Sequence, residues 1–425
     1  MMTMDIEFLA KLVEIDTSNI ANYDKCMEIM LQKAKSSGLP AELHYSKKEK
    51  PNLIVSLDAN AAQTLLLAAH YDVVPAGEGW KHAPYKLFSE GNRAYGRGAA
   101  DDKGGVISAF SAIEELKKKG SSKVNVKLLV TCDEEVGGED GLGFLMEKKT
   151  NGSFILAGDA AILIDSGPKV YIGSSGRIGG RIEAGGTLSE LLGLLSKVID
   201  YSKQREKIIS KLASSSGKRI PGRFSVTMLD LSAGAVEYAE AGVKSNIIPG
   251  ECRIKIRGKE EILVLGKQGH AGYPHRYENA IEKSLPLLKK APEISDGEGK
   301  CQFVFDLRTT PEEDLGPALA EFEKYVKGLS AEARIEITEK HQGCILEEKH
   351  PFVGMLKNAL GDKKAYGELG ATDAKFFSKR GIPSICFGPI SDDSNIHGKD
   401  EFVEIRDLET VSGTIVRLCE NWKDL

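Results

Sequence analysis

The sequence predicts an α/β protein in which a mostly parallel sheet, with helices on both faces, is interrupted by an inserted α+β domain. Over residues 1–172, short apolar runs alternate with amphipathic helical segments, and this alternation returns after residue 344. The segment between them has a different character. A chain of 425 residues is also too long for one compact core.

The first domain is predicted from its apolar runs and from the glycines that end its helices. Gly38 and Gly120 each follow a helical pattern and are typical of the position just after a helix. The runs between them lack helical spacing and are bounded by turn residues, which favours strands. The predicted helices cover 8–15, 26–34 and 107–119, and the predicted strands cover 52–57, 64–69, 126–130 and 160–164.

The inserted domain is predicted to span 173–344, which leaves 1–172 and 345–425 as one domain. It opens with a cluster of glycines between 173 and 186, which we interpret as a hinge between domains rather than a phosphate loop. A long helix follows from 188 to about 212. The other predicted strands are 253–257, 261–265, 302–307, 334–338 and 382–387, and the other helices are 278–290, 311–326, 352–360, 372–379 and the closing segment through 422.

The composition excludes several classes of partner. Fifty-seven basic and 62 acidic residues give a net charge of −5, so no broad basic field favours nucleic acid or anionic lipid. No apolar run approaches the roughly 18 residues of a membrane span. With no secretory signal and seven cysteines that form no CxxC pair, we expect a cytoplasmic protein with a small-molecule partner.

Metal-ligand residue types follow the predicted strands, and two more, Asp101 before a predicted helix and His397 after a loop, lie in neighbouring loops. Because the carboxyl ends of parallel strands open on one crevice, these side chains are expected to meet there. Adjacent glutamates on an extended strand point to opposite sides, so one can bind metal while the other handles a proton, and spacing alone does not decide which. The candidates are His70, Asp72, Asp101, Glu134, Glu135, Asp165 and His397.

Such a set predicts a metal site. Carboxylates and histidines held together repel one another or change their pKa values unless a cation offsets the charge. Mixed ligands of this kind suit zinc, cobalt or manganese, and they are more than one catalytic zinc uses, which favours two metals. Two metals can activate water and polarise a carbonyl at the same time. No GxxxxGK[ST], GxSxG or HExxH motif supports a rival chemistry, and the glycine cluster does not spell GxGxxG.

Six sequence blocks resemble one known family. The blocks HYDVVP at 70–75, YGRGAADDKG at 95–104 and TCDEE at 131–135 are similar to those of the co-catalytic zinc metallopeptidases. That family includes aminoacylase, carboxypeptidase G, acetylornithine deacetylase, succinyl-diaminopimelate desuccinylase, and the carnosinase-like and bacterial Xaa-His dipeptidases. The blocks GHA at 269–271, GATDA at 370–374 and HGKDE at 397–401 follow in the same order, so the resemblance covers nearly the whole chain.

The resemblance implies a role for each site residue. Glu134 would be the general base, and Asp72 would orient His70 from outside the ligand set. A cis peptide is expected between Asp101 and Asp102. Two zinc ions, or cobalt or manganese, would be held by His70 and Asp165 on one side, by Glu135 and His397 on the other, and by Asp101 between them.

The inserted domain would act as a lid or as a dimerisation-like domain. His270 would stabilise the oxyanion, and Asn246, in the block NIIPG, would reach the active site. Arg308 would grip a substrate carboxylate. Gly370 and Thr372 would assist it. Segment 188–222 does not align with the family, which leaves monomer and homodimer both open.

The expected function is therefore metal-dependent hydrolysis of a peptide-type amide in a small carboxylate-bearing substrate. The order of Asn246 before His270, together with Asp102 after Asp101, favours the bacterial dipeptidase branch. An N-deacylase such as acetylornithine deacetylase or succinyl-diaminopimelate desuccinylase is the alternative, since the metal chemistry is the same. The partner is a small peptide or an acylated amino acid. A binding protein without turnover is disfavoured, because Glu134 and every ligand are present.

Overall fold

The computed structural model describes residues 4–212, 223–272, 276–368 and 370–425. Its contacts divide the chain into two compact units. The first contains the residues up to Gly173, Ile345–Glu368 and Thr372–Leu425, and the second contains Ser174–Cys344 and Leu369–Ala371. These boundaries lie beside the predicted ones at 172/173 and 344/345. The role of the second unit as a lid stays a prediction.

The first unit is built on a sheet of nine described strands, in the order β1-β2-β6-β3-β9-β22-β10-β20 with β21 beside β10. Pairing is parallel in the centre, between β6, β3, β9 and β22, and antiparallel where β1, β2 and β10 join it. The predicted α/β class is confirmed. The strands are β1 (Ala41–Tyr45), β2 (Pro51–Leu57), β3 (Thr64–His70), β6 (Asn125–Thr131), β9 (Ala160–Leu163), β10 (Tyr171–Ser174), β20 (Cys344–Ile345), β21 (Tyr366–Glu368) and β22 (Ser384–Cys386).

The register of the central strands brings their carboxyl ends to one edge of the sheet. His70 at the end of β3 lies opposite Thr131 at the end of β6, and Ala68 lies opposite Leu163 at the end of β9. The apolar residues of β3 are buried, as expected for a strand with neighbours on both sides. The polar residues that follow these strands therefore start from the same edge.

Helices and small sheets complete the first unit. Asp5 caps the first helix by accepting a hydrogen bond from the amide of Phe8, and Gly120 ends the third with a left-handed φ of 61°. The helices are α1 (Ile6–Val13), α2 (Tyr23–Ser36), α3 (Lys103–Lys119), α4 (Phe144–Glu147), α8 (Pro351–Leu360), α9 (Ala374–Lys379) and α10 (Ile405–Glu420). The small-sheet strands are β4 (Phe88–Glu90), β5 (Arg93–Tyr95), β7 (Lys149–Thr150), β8 (Ser153–Phe154) and β23 (Phe402–Glu404).

The second unit has an α+β architecture around its own core. Seven described strands form one sheet in the order β16-β15-β13-β12-β18-β11-β19, and β14 pairs with β17. Its core contains buried Phe305, whose ring centroid lies 4.6 Å from that of Phe322. The elements are β11 (Gly176–Thr187), α5 (Leu188–Leu212), β12 (Arg223–Ala233), β13 (Val236–Ala241), β14 (Ile247–Ile248), β15 (Glu251–Ile256), β16 (Ile262–Leu265), β17 (Gly269–His270), α6 (Ala280–Leu288), β18 (Glu298–Thr309), α7 (Leu315–Leu329) and β19 (Arg334–His341).

The glycine cluster was wrongly interpreted as a hinge. Most of its glycines lie inside β11, which pairs with β18 on one side and β19 on the other. A Cβ on Gly180 would lie 2.7 Å from the carbonyl oxygen of Glu336 and 2.7 Å from the ring of Phe305. The absence of a side chain here permits close strand packing. Strands β12 and β13 were missed, and residues 213–222 of the unaligned insertion lie outside the described residues.

Among the described residues, none of the helices combines the length and the apolar character that crossing a membrane requires.

Candidate metal centre

The first group of candidate ligands comes from two neighbouring strand ends and a helix start. His70 is the last residue of β3, Asp165 follows β9, and Asp101 lies just before α3. One donor atom from each lies within 4.8 Å of the other two. His70 Nε2 lies 3.1 Å from Asp101 Oδ1. The structure therefore brings together three residues that lie far apart in sequence.

A second group shares Asp101 with the first. Donor atoms of Asp101, Glu135 and His397 also lie within 4.8 Å of one another, and all three residues are buried. His397 Nε2 lies 3.1 Å from Asp101 Oδ2 and 3.1 Å from Glu135 Oε1. Asp101 thus directs one carboxylate oxygen at each histidine. This is the arrangement that a carboxylate bridging two cations requires.

Asp72 connects the two groups from outside. The Nδ1 of His70 lies 2.9 Å from the carbonyl oxygen of Asp72 and 3.5 Å from its Oδ1. The Asp72 carboxylate also accepts hydrogen bonds from the backbone amides of Glu134 at 3.3 Å and Glu135 at 3.2 Å. Asp72 therefore holds the His70 ring with Nε2 toward Asp101 and fixes the backbone of the two glutamates, as partners outside a ligand set do.

The two glutamates lie on a tight turn, which corrects the extended strand assumed from the sequence. Glu134–Val136 form a short 3-10 turn, preceded by Asp133 with a left-handed φ of 73°. Lys50 Nζ lies 2.5 Å from Asp133 Oδ1 and 2.7 Å from Asp140 Oδ2. Glu135 is buried, whereas Glu134 is half-buried and belongs to neither ligand group. The turn thus separates a ligand position from a second carboxylate beside it.

The cluster concentrates several carboxyl groups in a buried place, and this changes their pKa values. Burial, together with Asp373, Glu135 and Asp101, raises the pKa of Glu134 to about 8. Burial and the Asp101 carboxylate also raise the pKa of Asp165 well above its usual range. Burial alone would lower the pKa of His397, but Glu135 and Asp101 raise it to about 9. A divalent cation would relieve the repulsion between these carboxylates. Carboxylate oxygens and imidazole nitrogens are also ligands that such cations accept.

The peptide between Asp101 and Asp102 is cis, as the resemblance implied. Asp102 is buried, and its Oδ2 accepts a hydrogen bond from the backbone amide of His70 at 3.2 Å.

In the second unit, two predicted residues lie side by side. Strand β14, which follows Asn246, pairs with β17, which ends at His270, and the amide of Ala271 donates to the carbonyl of Asn246 at 2.8 Å. The amide of Gly272 donates to Nδ1 of His270 at 3.1 Å. Because Nδ1 accepts this hydrogen bond, a neutral His270 ring carries its proton on Nε2 and is a donor there.

Arg308 differs from its predicted setting at the exposed end of a strand. It lies within β18 with a side chain 2% exposed, because the strand runs two residues further than predicted. Its Nε and Nη2 bind the Asp306 carboxylate at 2.6 and 3.0 Å, while its buried Nη1 makes no hydrogen bond to a described residue. Asp306 is shared with Arg177 at 2.8 Å. The guanidinium of Arg308 is thus held on one side by the carboxylate of Asp306.

Gly370 and Thr372 belong to different units. The carbonyl of Gly370 accepts a hydrogen bond from the amide of Ser175 at 3.1 Å within the second unit. The hydroxyl of Thr372 lies 3.6 Å from the sulfur of Cys386 and accepts from the amide of Ala374 at 3.4 Å within the first. Substrate contact by either residue stays a prediction.

Sequence reasoning missed several charged residues around the site. Arg97, Glu401 and Asp373 lie within the six family blocks and are buried, and Lys50 contacts the turn that carries the glutamates. Charged residues are almost never buried unless paired. Their presence in these blocks was the available signal.

Residues 66–421 match the family model for Peptidase family M20/M25/M40. The chain belongs to this family. The predicted resemblance and the predicted reaction class, hydrolysis, are therefore confirmed.

Curated relatives of the M20 chain include both predicted activities. The succinyl-diaminopimelate desuccinylase of Sulfurimonas denitrificans is 25% identical over 384 residues, which cover 88% of each chain. That of Gluconobacter oxydans is 32% identical over 219 residues, 49% of this chain and 54% of that protein. The cysteinylglycine-S-conjugate dipeptidase of Corynebacterium striatum is 35% identical over 128 residues, 29% of this chain and 28% of that protein. The last two matches span about half or less of the relative's length.

Solved structures share the fold of the M20 chain over nearly its full length. Dug1p, a dipeptidase from Saccharomyces cerevisiae, gives a TM-score of 0.69 at 15% identity and covers 98% of this chain and 95% of its own. Human carnosine dipeptidase 1 gives 0.68 at 14% identity, covering 97% and 96%. The metallo-carboxypeptidase Sso-CP2 of Sulfolobus solfataricus gives 0.68 at 18% identity, covering 98% of each chain. At these identities the likeness establishes the fold alone.

Proposed function

We propose that the protein is a dizinc hydrolase that cleaves the amide bond of a dipeptide bearing a free carboxylate. One observation carries this proposal: the carboxylate of Asp101 directs Oδ1 to His70 and Oδ2 to His397, each at 3.1 Å. Two three-residue ligand groups therefore share one residue. A single metal would not require this arrangement, and a purely structural cluster of buried acids would lack the two histidines.

His70, Asp101 and Asp165 would hold one cation, and Asp101, Glu135 and His397 the other. When bound, two such cations supply Lewis-acid polarisation of the substrate carbonyl and lower the pKa of water. Cobalt and manganese suit the same donors, so the proposal of zinc rests on the family resemblance.

Glu134 would carry the proton. It lies outside both ligand groups, one residue from Glu135, and its backbone is fixed by Asp72. As general base, its carboxylate takes a proton from the attacking water and then passes it to the leaving amine. Half-burial lets it reach both the buried ligands and an arriving substrate. Asp72 would hold the His70 ring and the backbone of Glu134 and Glu135 in place during the reaction.

The second unit would supply the remaining groups. His270, with its Nδ1 held by the Gly272 amide, has the tautomer that donates from Nε2, as stabilisation of an oxyanion requires. Arg308 would bind the carboxylate of the substrate, which would explain a preference for free carboxyl groups. Asn246 lies beside His270 and would contact the same substrate. Gly370 and Thr372 would help to hold its carboxylate.

Deacylation of an N-succinyl amino acid is the second candidate function. The relative aligned over 88% of both chains is named succinyl-diaminopimelate desuccinylase, which favours it. The order of Asn246 before His270 favours the dipeptidase. The two reactions share the metal chemistry and differ in the group on the acyl side of the amide.

The test is a substrate panel with metal-reconstituted protein. Apo-protein is loaded with zinc, cobalt or manganese and assayed on dipeptides, the same dipeptides as carboxyl-terminal amides, N-succinyl-diaminopimelate and N-acetylornithine, with a chelated control. We expect chelator-sensitive cleavage of dipeptides and little of their amides. Cleavage of the acylated amino acids alone would replace the dipeptidase by the deacylase, and hydrolysis unaffected by chelator would reject the metal mechanism.

We further propose a cytoplasmic protein that acts on small substrates as a monomer or homodimer and binds neither nucleic acid nor membrane. All seven cysteines lie in the described part of the chain and none of them forms a disulfide, which suits a reducing compartment. Size-exclusion chromatography with light scattering would decide the oligomeric state.

A further inference from the structure

A fully buried ion pair lies behind the shared carboxylate. The side chains of Arg97 and Glu401 are each 1% exposed, and Arg97 Nη1 lies 2.5 Å from Glu401 Oε2. Removing both charges from water is costly, and apolar residues of similar volume often stabilise a fold equally well. Fold stability alone therefore does not account for this pair, and its other contacts become informative.

Those contacts go to the backbone of the two loops that carry Asp101 and His397. Glu401 Oε1 accepts hydrogen bonds from the amides of Ala100 at 3.0 Å and Asp101 at 3.1 Å. Arg97 Nη2 donates to the carbonyl of Gly398, the residue after His397, at 2.9 Å. One end of the pair thus fixes the peptide nitrogen of Asp101, and the other fixes the peptide between Gly398 and Lys399, one residue beyond His397.

The His397 loop depends on such a contact more than the other ligand segments do. His70 is the last residue of β3 and is paired with Thr131 in the sheet. Asp165 lies two residues after the end of β9. By contrast, His397 lies outside any described strand or helix, with a left-handed φ of 61°. Backbone in this conformation is costly for a residue with a side chain and persists where its surroundings hold it.

We propose that Arg97 and Glu401 are a positioning pair that sets the separation of Asp101 and His397 and so determines the affinity for the cation held by Asp101, Glu135 and His397. The inference rests on the proposed function, because it assumes that both ligand groups bind metal. Neither Arg97 nor Glu401 belongs to a ligand group. Its loss should weaken the site of His397 much more than the site of His70 and Asp165.

The chain contains a matched control. Arg93 and Glu404 form an ion pair between the neighbouring positions of the same two segments, with Arg93 Nε 2.7 Å from Glu404 Oε1. Their side chains are 41% and 22% exposed, and they face each other across the β5–β23 pairing. This pair joins the same parts of the chain without hydrogen bonding to the peptides of Asp101 or Gly398. If any ion pair that joins these segments affected zinc binding, variants of both pairs would show the effect.

The experiment measures zinc binding to full-length apo-protein without substrate. The two dissociation constants are determined by competition with a chromophoric chelator for the wild type, R97K, R97M, E401Q, R97M/E401Q and the control R93M/E404Q. We expect the pair variants to weaken one zinc about tenfold to one hundredfold, the usual effect of losing a partner behind a ligand, and to change the other far less. The control should bind both zinc ions as the wild type does.

Thermal melts accompany each titration. R97K keeps the buried charge but has one ammonium for two acceptors, and R97M/E401Q leaves no unpaired buried charge, so these two variants carry the test if a single neutral substitution does not fold. Unchanged zinc affinities in folded R97M/E401Q, or equal weakening at both sites, would overturn the inference. Failure of the wild type itself to bind two zinc ions would instead overturn the proposed function.

Discussion

Replacement of Glu134 by Gln is the most informative single change at the site. It preserves the volume of the side chain and removes both its negative charge and its ability to accept a proton. Glu134 belongs to neither ligand group, and burial with Asp373, Glu135 and Asp101 nearby raises its pKa to about 8. The substitution therefore removes a proton carrier and leaves every proposed ligand in place.

The expected loss of rate in E134Q follows from the proposed role of Glu134 as general base. Proton transfer by a positioned side chain contributes about 10² to 10⁴ in rate. At about 1.4 kcal/mol per factor of ten, this corresponds to roughly 3 to 5 kcal/mol of transition-state stabilisation. Zinc affinity should change little, because the substitution removes no ligand. The E134Q variant should thus lose turnover while it keeps its metal content.

The assay measures kcat on the best substrate of the panel and zinc content by elemental analysis of the same samples. E139Q is the matched control, since Glu139 is an exposed glutamate on the same loop. We expect E134Q to retain zinc and lose at least a hundredfold in kcat, and E139Q to resemble the wild type. Near-normal turnover in zinc-loaded E134Q would refute the assignment, and loss of zinc would make Glu134 a ligand instead.

Three further predictions follow from single contacts. H270Q should retain more activity than H270N, because the Gln amide stands near the donating Nε2 and the Asn amide near Nδ1, which accepts from Gly272; equal kcat values for the two would contradict the tautomer. K50M should lower the free energy of unfolding by about 1.5 to 3 kcal/mol per charged hydrogen bond lost, since Lys50 holds Asp133 and Asp140, whereas exposed K48M should have little effect; urea denaturation checks this, and equal midpoints would refute it. G180A should cost about 1 to 3 kcal/mol because its Cβ would meet a backbone oxygen at 2.7 Å, whereas G193A, with open space around it, should not destabilise helix α5; the same denaturation series decides, and an undiminished stability of G180A would show that β11 tolerates a side chain.

The sequence could predict the part of the site that depends on regular structure. His70 and Asp165 follow buried parallel strands, and the apolar runs of β3 and β9 reveal both the strands and the edge where they end. His397 was a candidate because it follows the predicted strand 382–387 after a loop, and the family blocks then gave it the role of a ligand, which no periodicity would have assigned. Convergence of these residues required only that the strands share one sheet.

The rest of the site depends on contacts between distant residues. The turn at Glu134 is shaped by Asp133, whose carboxylate binds Lys50, 83 residues away in sequence. The pairing of Arg97 with Glu401 spans 304 residues. No local pattern encodes such pairs, and for this reason the sequence left the order of the two glutamates open.

Two elements of the second unit were predicted wrongly for reasons that lie in their own local sequence. Strand β12 was missed because a bulge between Val226 and Met228 interrupts its alternation of apolar and polar residues. Strand β11 was taken for a hinge because its glycines carry no hydrophobic signal, although their lack of side chains is what lets β18 and β19 pack beside it.

The most direct test of a shared two-metal site is activity titrated against added zinc. Apo-protein receives increasing equivalents of zinc, and dipeptide hydrolysis and bound zinc are measured at each step. We predict no activity without metal and maximal activity when two zinc ions are bound per chain, since Asp101 directs one oxygen to each ligand group. Full activity in the metal-free protein, or a chain that binds no zinc, would contradict the account.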